Sequence, residues 1–125
     1  IGHDFDEHPT AHMIEGVFVW QKRLSGTRQH GTGGDGNSTF SRARESIRSC
    51  ASSFVDLYAD GHSDSVERIR ADGVDILVDL QGHTLGGRGQ ITAARPALVQ
   101  VNYLVFPGTS GAPYIDYLLA DRHVS

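Results

Sequence analysis

Two apolar runs, each closed by a glycine-bearing turn, restrict what this 125-residue chain can build. The run Val74-Asp75-Ile76-Leu77-Val78-Asp79-Leu80 is rich in β-branched residues and predicts a strand. It leads into Gln81-Gly82-His83-Thr84-Leu85-Gly86-Gly87-Arg88. A second run, Leu98 to Phe106, leads into Pro107-Gly108-Thr109-Ser110-Gly111. Shorter runs at Phe54 to Tyr58 and Tyr114 to Ala120 predict two more strands. Between the strands the period changes: Ser38 to Ser53 carries Phe40, Ala43, Ile47 and Cys50 or Ala51 at helical spacing, and Ser63 to Ala71 carries Val66, Ile69 and Arg70 likewise. Strands alternating with crossover helices predict an α/β fold, a Rossmann-like, largely parallel sheet with flanking helices.

Composition bounds the partners. A formal net charge of -4 offers no basic stripe to neutralise a phosphate backbone, which argues against nucleic acid and for a small or polar ligand. The apolar runs fall well short of the roughly 20 residues a membrane span needs, so no membrane partner is expected. Cys50 is the single cysteine, which excludes an internal disulfide and a cysteine-built zinc site and is compatible with a reducing, cytoplasmic setting. The chain opens at Ile1 without a signal-peptide pattern, and the size is that of one domain.

Toward the N-terminus, Met13, Ile14, Val17 and Phe18 share one side of a helix over Thr10 to about Trp20, opening just after Pro9. Residues 1 to 5 then read as the end of a strand. From Gln21 to Asn37 the alternation fails: five glycines fall between Gly26 and Gly36, and Lys22, Arg23, Arg28, Gln29 and His30 are polar. This stretch is expected to be a loop, although a doubly wound domain would place a strand there.

In open α/β sheets ligands collect at the carboxyl ends of strands, which singles out three loops. In Asp4-Phe5-Asp6-Glu7-His8-Pro9-Thr10 a histidine and a carboxylate sit at a strand-to-helix turn, fit to share proton transfer or to be a capping aspartate beside a solvated histidine. His8 and His12, with His3 near, also have helical spacing for a metal, but the zinc-protease pattern needs glutamate where Pro9 stands, and packed or solvated histidines are the commoner outcome. In the second loop, Arg88 suits a phosphate or carboxylate and His83 a sugar hydroxyl; the alternative is a plain connection with an ion-paired arginine. In the third, the N–H and hydroxyl groups after Pro107 suit a polar pocket or ordinary turn chemistry. Gly31-Thr32-Gly33-Gly34-Asp35-Gly36 mimics a dinucleotide fingerprint, with Asp56 about twenty residues on, but lacks the apolar strand that motif requires.

Taken together these motifs resemble the catalytic region of the O-linked N-acetylglucosamine transferase family, glycosyltransferases of the two-lobed GT-B type. The matches are Asp4-Phe5 with His8-Pro9-Thr10 and His12, Ala71 to Val78 leading into Gly82-His83-Thr84 and Arg88, Ala94-Arg95-Pro96-Ala97 through Val99-Gln100, Leu104, Pro107 to Ala112, and Asp116-Tyr117. The resemblance implies that residues 1–125 are a partial N-terminal lobe of the catalytic region. It implies transfer of N-acetylglucosamine from UDP-N-acetylglucosamine, as donor substrate, to protein serine and threonine hydroxyls, with inversion and without a metal. His8 and Asp4 map onto the two proposed proton acceptors. Thr10, Leu104 and Val105 map onto positions lining the donor sugar, with Pro107, Gly108 and Thr109 beside them; Val105 stands where relatives carry glycine. The family further implies a C-terminal lobe holding most of the nucleotide and upstream tetratricopeptide repeats, so a lone lobe is expected to bind donor weakly and turn over poorly. It also expects an apolar strand near Gln21 to His30. The alternatives are a non-catalytic Rossmann-like module, favoured by that polar stretch, and a nucleotide-cofactor enzyme using the Gly31 to Gly36 run.

Overall fold

A computed structural model describes residues 14, 17, 28–31, 42–103, 106, 108–120 and 122. The chain forms two compact units, Gly2–Ala59 and Asp60–Ser125.

In the first unit, β1 (Arg28–Gly31) pairs in parallel with β2 (Ser53–Asp56), Arg28 opposite Ser53 and Gly31 opposite Asp56. The helix α1 (Arg42–Cys50) makes the crossover. Its Ile47 is fully buried, as is Leu57 just after β2. β1 corrects the expected loop. Its RQHG sequence has no apolar alternation, yet a parallel neighbour satisfies backbone N–H and C=O groups whatever the side chains are, so the ladder overrides a weak local preference. The glycine run therefore does follow a strand, though a polar one. Asp56, which a dinucleotide fold would use on a ribose, instead pairs with the Arg44 guanidinium and accepts from the Tyr58 N–H at 3.0 Å. The same guanidinium lies 5.3 Å from the centre of the Phe54 ring. Of the helix expected over Thr10 to Trp20, Ile14 and Val17 are helical, with Ile14 buried and Val17 exposed; its other residues lie outside those described.

The second unit carries a three-stranded parallel sheet, β3 (Ile76–Asp79), β4 (Val99–Tyr103) and β5 (Tyr117–Leu119), in the order β3-β4-β5. Leu77 lies opposite Gln100, Asp79 opposite Asn102, and Asn102 opposite Leu118. Helix α2 (His62–Ala71) precedes β3 and buries Ser65, Val66 and Ile69, the three-and-four spacing of an amphipathic stripe. Asp64 in its first turn and Arg68 and Arg70 in its last complement the helix dipole. Gly73, at φ +63°, ends it in the left-handed region that favours glycine, and β3 follows. The four runs expected as strands at Phe54 to Tyr58, Val74 to Leu80, Leu98 to Phe106 and Tyr114 to Ala120 each contain one, β2 starting one residue early at Ser53; the strand end expected at residues 1 to 5 lies outside those described. A short helix, α3 (Gly89–Ala93), was not expected: five residues with only Ile91 and Thr92 buried are too few to show a period. It packs against α2. The core of this unit is Val66, Ile69, Leu77, Leu80, Ile91, Ala97 and Val101. Among the described residues, no helix is long and apolar enough to cross a membrane.

Candidate active-site loops

The loop leaving β3 is held by its own backbone. Asp79 is buried, and its Oδ1 accepts from the N–H of Gln81 at 2.9 Å and of Gly82 at 3.3 Å, reversing the chain at the strand's end. The Gln81 carbonyl accepts from the Thr84 N–H at 3.2 Å and its hydroxyl at 2.7 Å, and the Thr84 carbonyl accepts from the Gly87 N–H at 2.9 Å. Two glycines make this closeness possible. Gly82 has φ +54°, and a Cβ there would stand 2.8 Å from Phe106 Cβ; a Cβ on Gly87 would stand 2.5 Å from the Gly82 carbonyl oxygen.

Two side chains of this loop reach elsewhere in the unit. His83 Nε2 lies 3.0 Å from the Ser110 carbonyl oxygen, and because a carbonyl only accepts, that nitrogen carries the proton. The imidazole also stands edge-on to the Phe106 ring, centroids 5.3 Å apart and planes at 90°. Arg88 donates to the Asp60 carbonyl at 2.8 Å and the Ser65 hydroxyl at 3.0 Å, so the guanidinium considered for an anion is engaged at the start of α2. Burial draws its pKa down, opposed by the charge of Asp60.

The loop leaving β4 is built from two hydroxyl turns. Thr109 Oγ1 accepts from the Gly111 N–H and Ser110 Oγ from the Ala112 N–H, both at 3.3 Å, which leaves each hydroxyl its own proton to donate. Thr109 is exposed and Gly108 half-buried. A cleft of about 170 Å³ opens here, with Asn102, Thr109, Ser110, Ile115, Asp116 and Leu118 among its walls. Asn102 is 5% exposed, and its Oδ1 has no hydrogen-bond partner. Of the eight residues expected in the site, Gly108 and Thr109 are therefore placed at a strand's carboxyl end. Asp4, His8, Thr10, Leu104, Val105 and Pro107 lie outside the described residues, as do His3 and His12.

A polar latch fixes the base of this loop. Arg95, at φ +45°, donates to the carbonyls of Tyr114 at 3.0 Å and Leu98 at 3.2 Å and pairs with the Asp116 carboxylate at 3.1 Å. Asp116 Oδ2 accepts from the Gln100 N–H at 2.8 Å, and the fully buried Gln100 amide donates to the carbonyls of Thr92 at 2.8 Å and Tyr114 at 2.6 Å. The Gln100 N–H holds the Asp116 carboxyl below its ordinary pKa; partial burial opposes this and Arg95 adds to it. The folded pKa lies under the unfolded value of about 3.9, so this contribution is present above that value and lost as pH falls through the folded one. Asp116→Asn is expected to lower the thermal midpoint of the protein at pH 7, with the gap to wild type closing below about pH 4. A gap that stays constant into that acid range would show that the charge of Asp116 is not what holds the latch.

Asp79, Gln100, Asn102 and Phe106 had no role expected from the sequence, Gln100 entering only as one of the family matches. Three of these are polar residues inside otherwise apolar strand runs. Such residues must find partners when buried, and that was the available signal.

The whole chain has relatives. The model for glycosyl transferase family 41 matches residues 1–125. The chain is 36% identical over 126 residues to the probable UDP-N-acetylglucosamine--peptide N-acetylglucosaminyltransferase SEC of Arabidopsis thaliana, covering 100% of this chain and 13% of that protein. It is 32% identical over 128 residues to the UDP-N-acetylglucosamine--peptide N-acetylglucosaminyltransferase of Caenorhabditis elegans, covering 100% of this chain and 11% of that one. Among solved structures, a mutant of the Thermobaculum terrenum O-GlcNAc transferase matches with a TM-score of 0.85 and 28% identity, over 98% of this chain and 24% of that chain. The parallel sheet with flanking helices is thus that of a GT-B transferase, as expected. The chain spans only 11–13% of the length of these two curated relatives.

Proposed function

The chain belongs to glycosyl transferase family 41, and on that premise we propose that its parent protein transfers N-acetylglucosamine from UDP-N-acetylglucosamine to serine and threonine hydroxyls of proteins. In this reading residues 1–125 supply part of the N-terminal lobe of the catalytic region. The observation that carries it is the match of the family and of two named peptide N-acetylglucosaminyltransferases across the entire chain. The glycine and hydroxyl loops at the ends of β3 and β4 support it, because they stand where an α/β sheet receives ligands.

The chemistry is a single displacement. The acceptor hydroxyl attacks the anomeric carbon from the face opposite the diphosphate, the bond to UDP breaks, and UDP leaves with the electron pair, inverting the centre. The hydroxyl proton passes to a base on this lobe, His8 or Asp4. Thr10, Leu104, Val105, Pro107, Gly108 and Thr109 surround the donor sugar, and Thr109 keeps a hydroxyl proton to donate toward it. The nucleotide is a substrate, no metal takes part, and a downstream lobe completes the cleft. We propose a cytoplasmic location, with which a single cysteine is compatible.

The test incubates the full-length protein with UDP-N-acetylglucosamine and a serine- and threonine-containing peptide, following peptide mass and the anomeric configuration of the product. Gain of one N-acetylhexosamine in the inverted configuration is expected. Release of UDP into water without peptide transfer, or no consumption of the donor, would overturn the assignment.

A further inference from the structure

We infer that His83 is a positioning residue for the donor: its imidazole struts the Gly108–Ser110 turn from the neighbouring loop. The inference rests on the proposed placement of Gly108 and Thr109 beside the donor sugar.

Three observations converge on this side chain. Its Nε2–H is directed at the carbonyl of Ser110, 27 residues away in sequence, at 3.0 Å. Its ring packs T-shaped with the Phe106 ring, centroids 5.3 Å apart, so the same imidazole meets the loop on both sides of Gly108. And its backbone is set by Gly82, whose positive φ and missing Cβ allow the turn to lie against Phe106. The described hydrogen bonds of the Thr109 and Ser110 side chains are with the next residues but one, Gly111 and Ala112, and hold the turn's shape without fixing where it stands. The described hydrogen bond that joins this turn to another strand's loop is the one from His83. With Nε2 given to a carbonyl, His83 acts on the reaction through the turn.

A strut of this kind fixes a binding wall before the donor arrives, so its loss falls on donor affinity. A net hydrogen bond of ordinary strength corresponds to about a three- to tenfold change in an equilibrium constant. The experiment uses the full-length protein with three variants. His83→Phe keeps an aromatic edge against Phe106 and removes the N–H. His83→Gln places an amide N–H at nearly the reach of Nε2, and His83→Ala removes both. The expected result is a rise of about three- to tenfold in KM for UDP-N-acetylglucosamine and in Kd for UDP-N-acetylglucosamine measured calorimetrically for Phe and Ala. Their kcat stays within about twofold, and Gln lies close to wild type.

Unchanged donor KM in His83→Phe, or a fall in kcat that tracks a lower thermal midpoint while KM holds, would overturn the inference. So would failure of Gln to recover the donor affinity that Phe loses. A wild-type protein that transfers no sugar at all fails the functional assignment instead, which is scored before any variant is compared.

Discussion

Replacing His8 or Asp4 in the full-length protein is expected to lower kcat for peptide glycosylation by about 10²- to 10⁴-fold, the usual range for a lost general base. A serine or threonine hydroxyl is a poor nucleophile at neutral pH, and its proton must leave as the bond to the anomeric carbon forms. Asp4 and His8, four residues apart in sequence, are the two groups proposed to take that proton. If His8 is the base, His8→Ala abolishes the acid limb of the kcat–pH profile and Asp4→Asn keeps it; if Asp4 is the base, the two outcomes are exchanged. The group that is not the base orients or charges the other, so its loss lowers kcat without removing the limb. Both residues lie outside those described, so the pair is assigned by the Asp4-Phe5 and His8-Pro9-Thr10 motifs. Retention of kcat within a few-fold in both His8→Ala and Asp4→Asn would remove proton transfer from this loop.

What the sequence made legible was whatever a run of five or more residues can encode. Val74 to Leu80 and Leu98 to Phe106 contain strands because β-branched residues with a glycine or proline stop have few other places to go. Val66 and Ile69 sit in the core because their spacing fits one face of α2. β1 was illegible for the opposite reason: Arg28-Gln29-His30-Gly31 forms a strand through its neighbour's backbone, and no side-chain pattern reports that. Its presence weakens the case for a degenerate binding module, which rested on that stretch being no strand. In the site, position was legible and partnership was not. Both glycine loops stand at strand ends as expected, yet that Arg88 would reach back to Ser65, or that His83 would face Ser110, depends on which loops the sheet brings side by side. Long-range pairs of side chain and backbone leave no periodic trace in one sequence.

The loop after β3 also yields the largest structural effect. Gly87→Ala places a methyl group 2.5 Å from the Gly82 carbonyl oxygen and 2.9 Å from that of Thr84, both backbone atoms of a closed turn. Neither can retreat cheaply. Gly82 is tied to Asp79 Oδ1 and lies against Phe106, and Thr84 is held by two bonds to the Gln81 carbonyl. Overpacking at such a site costs about 1–3 kcal/mol, and opening the turn to relieve it forfeits the Gly87 to Thr84 hydrogen bond, worth about 1 kcal/mol more. A total of about 2–4 kcal/mol is expected. Gly73→Ala is the control, because Gly73 has φ +63° with nothing within 4 Å of a Cβ, so alanine there meets only the left-handed backbone cost of about 1 kcal/mol. Denaturant unfolding of the two variants in the full-length protein separates steric from conformational strain. If Gly87→Ala proves as mild as Gly73→Ala, the turn is looser than its hydrogen bonds imply. A loop loose enough to admit that methyl could not hold His83 against Ser110 either, so the same measurement bears on whether this loop is rigid enough to set the donor wall.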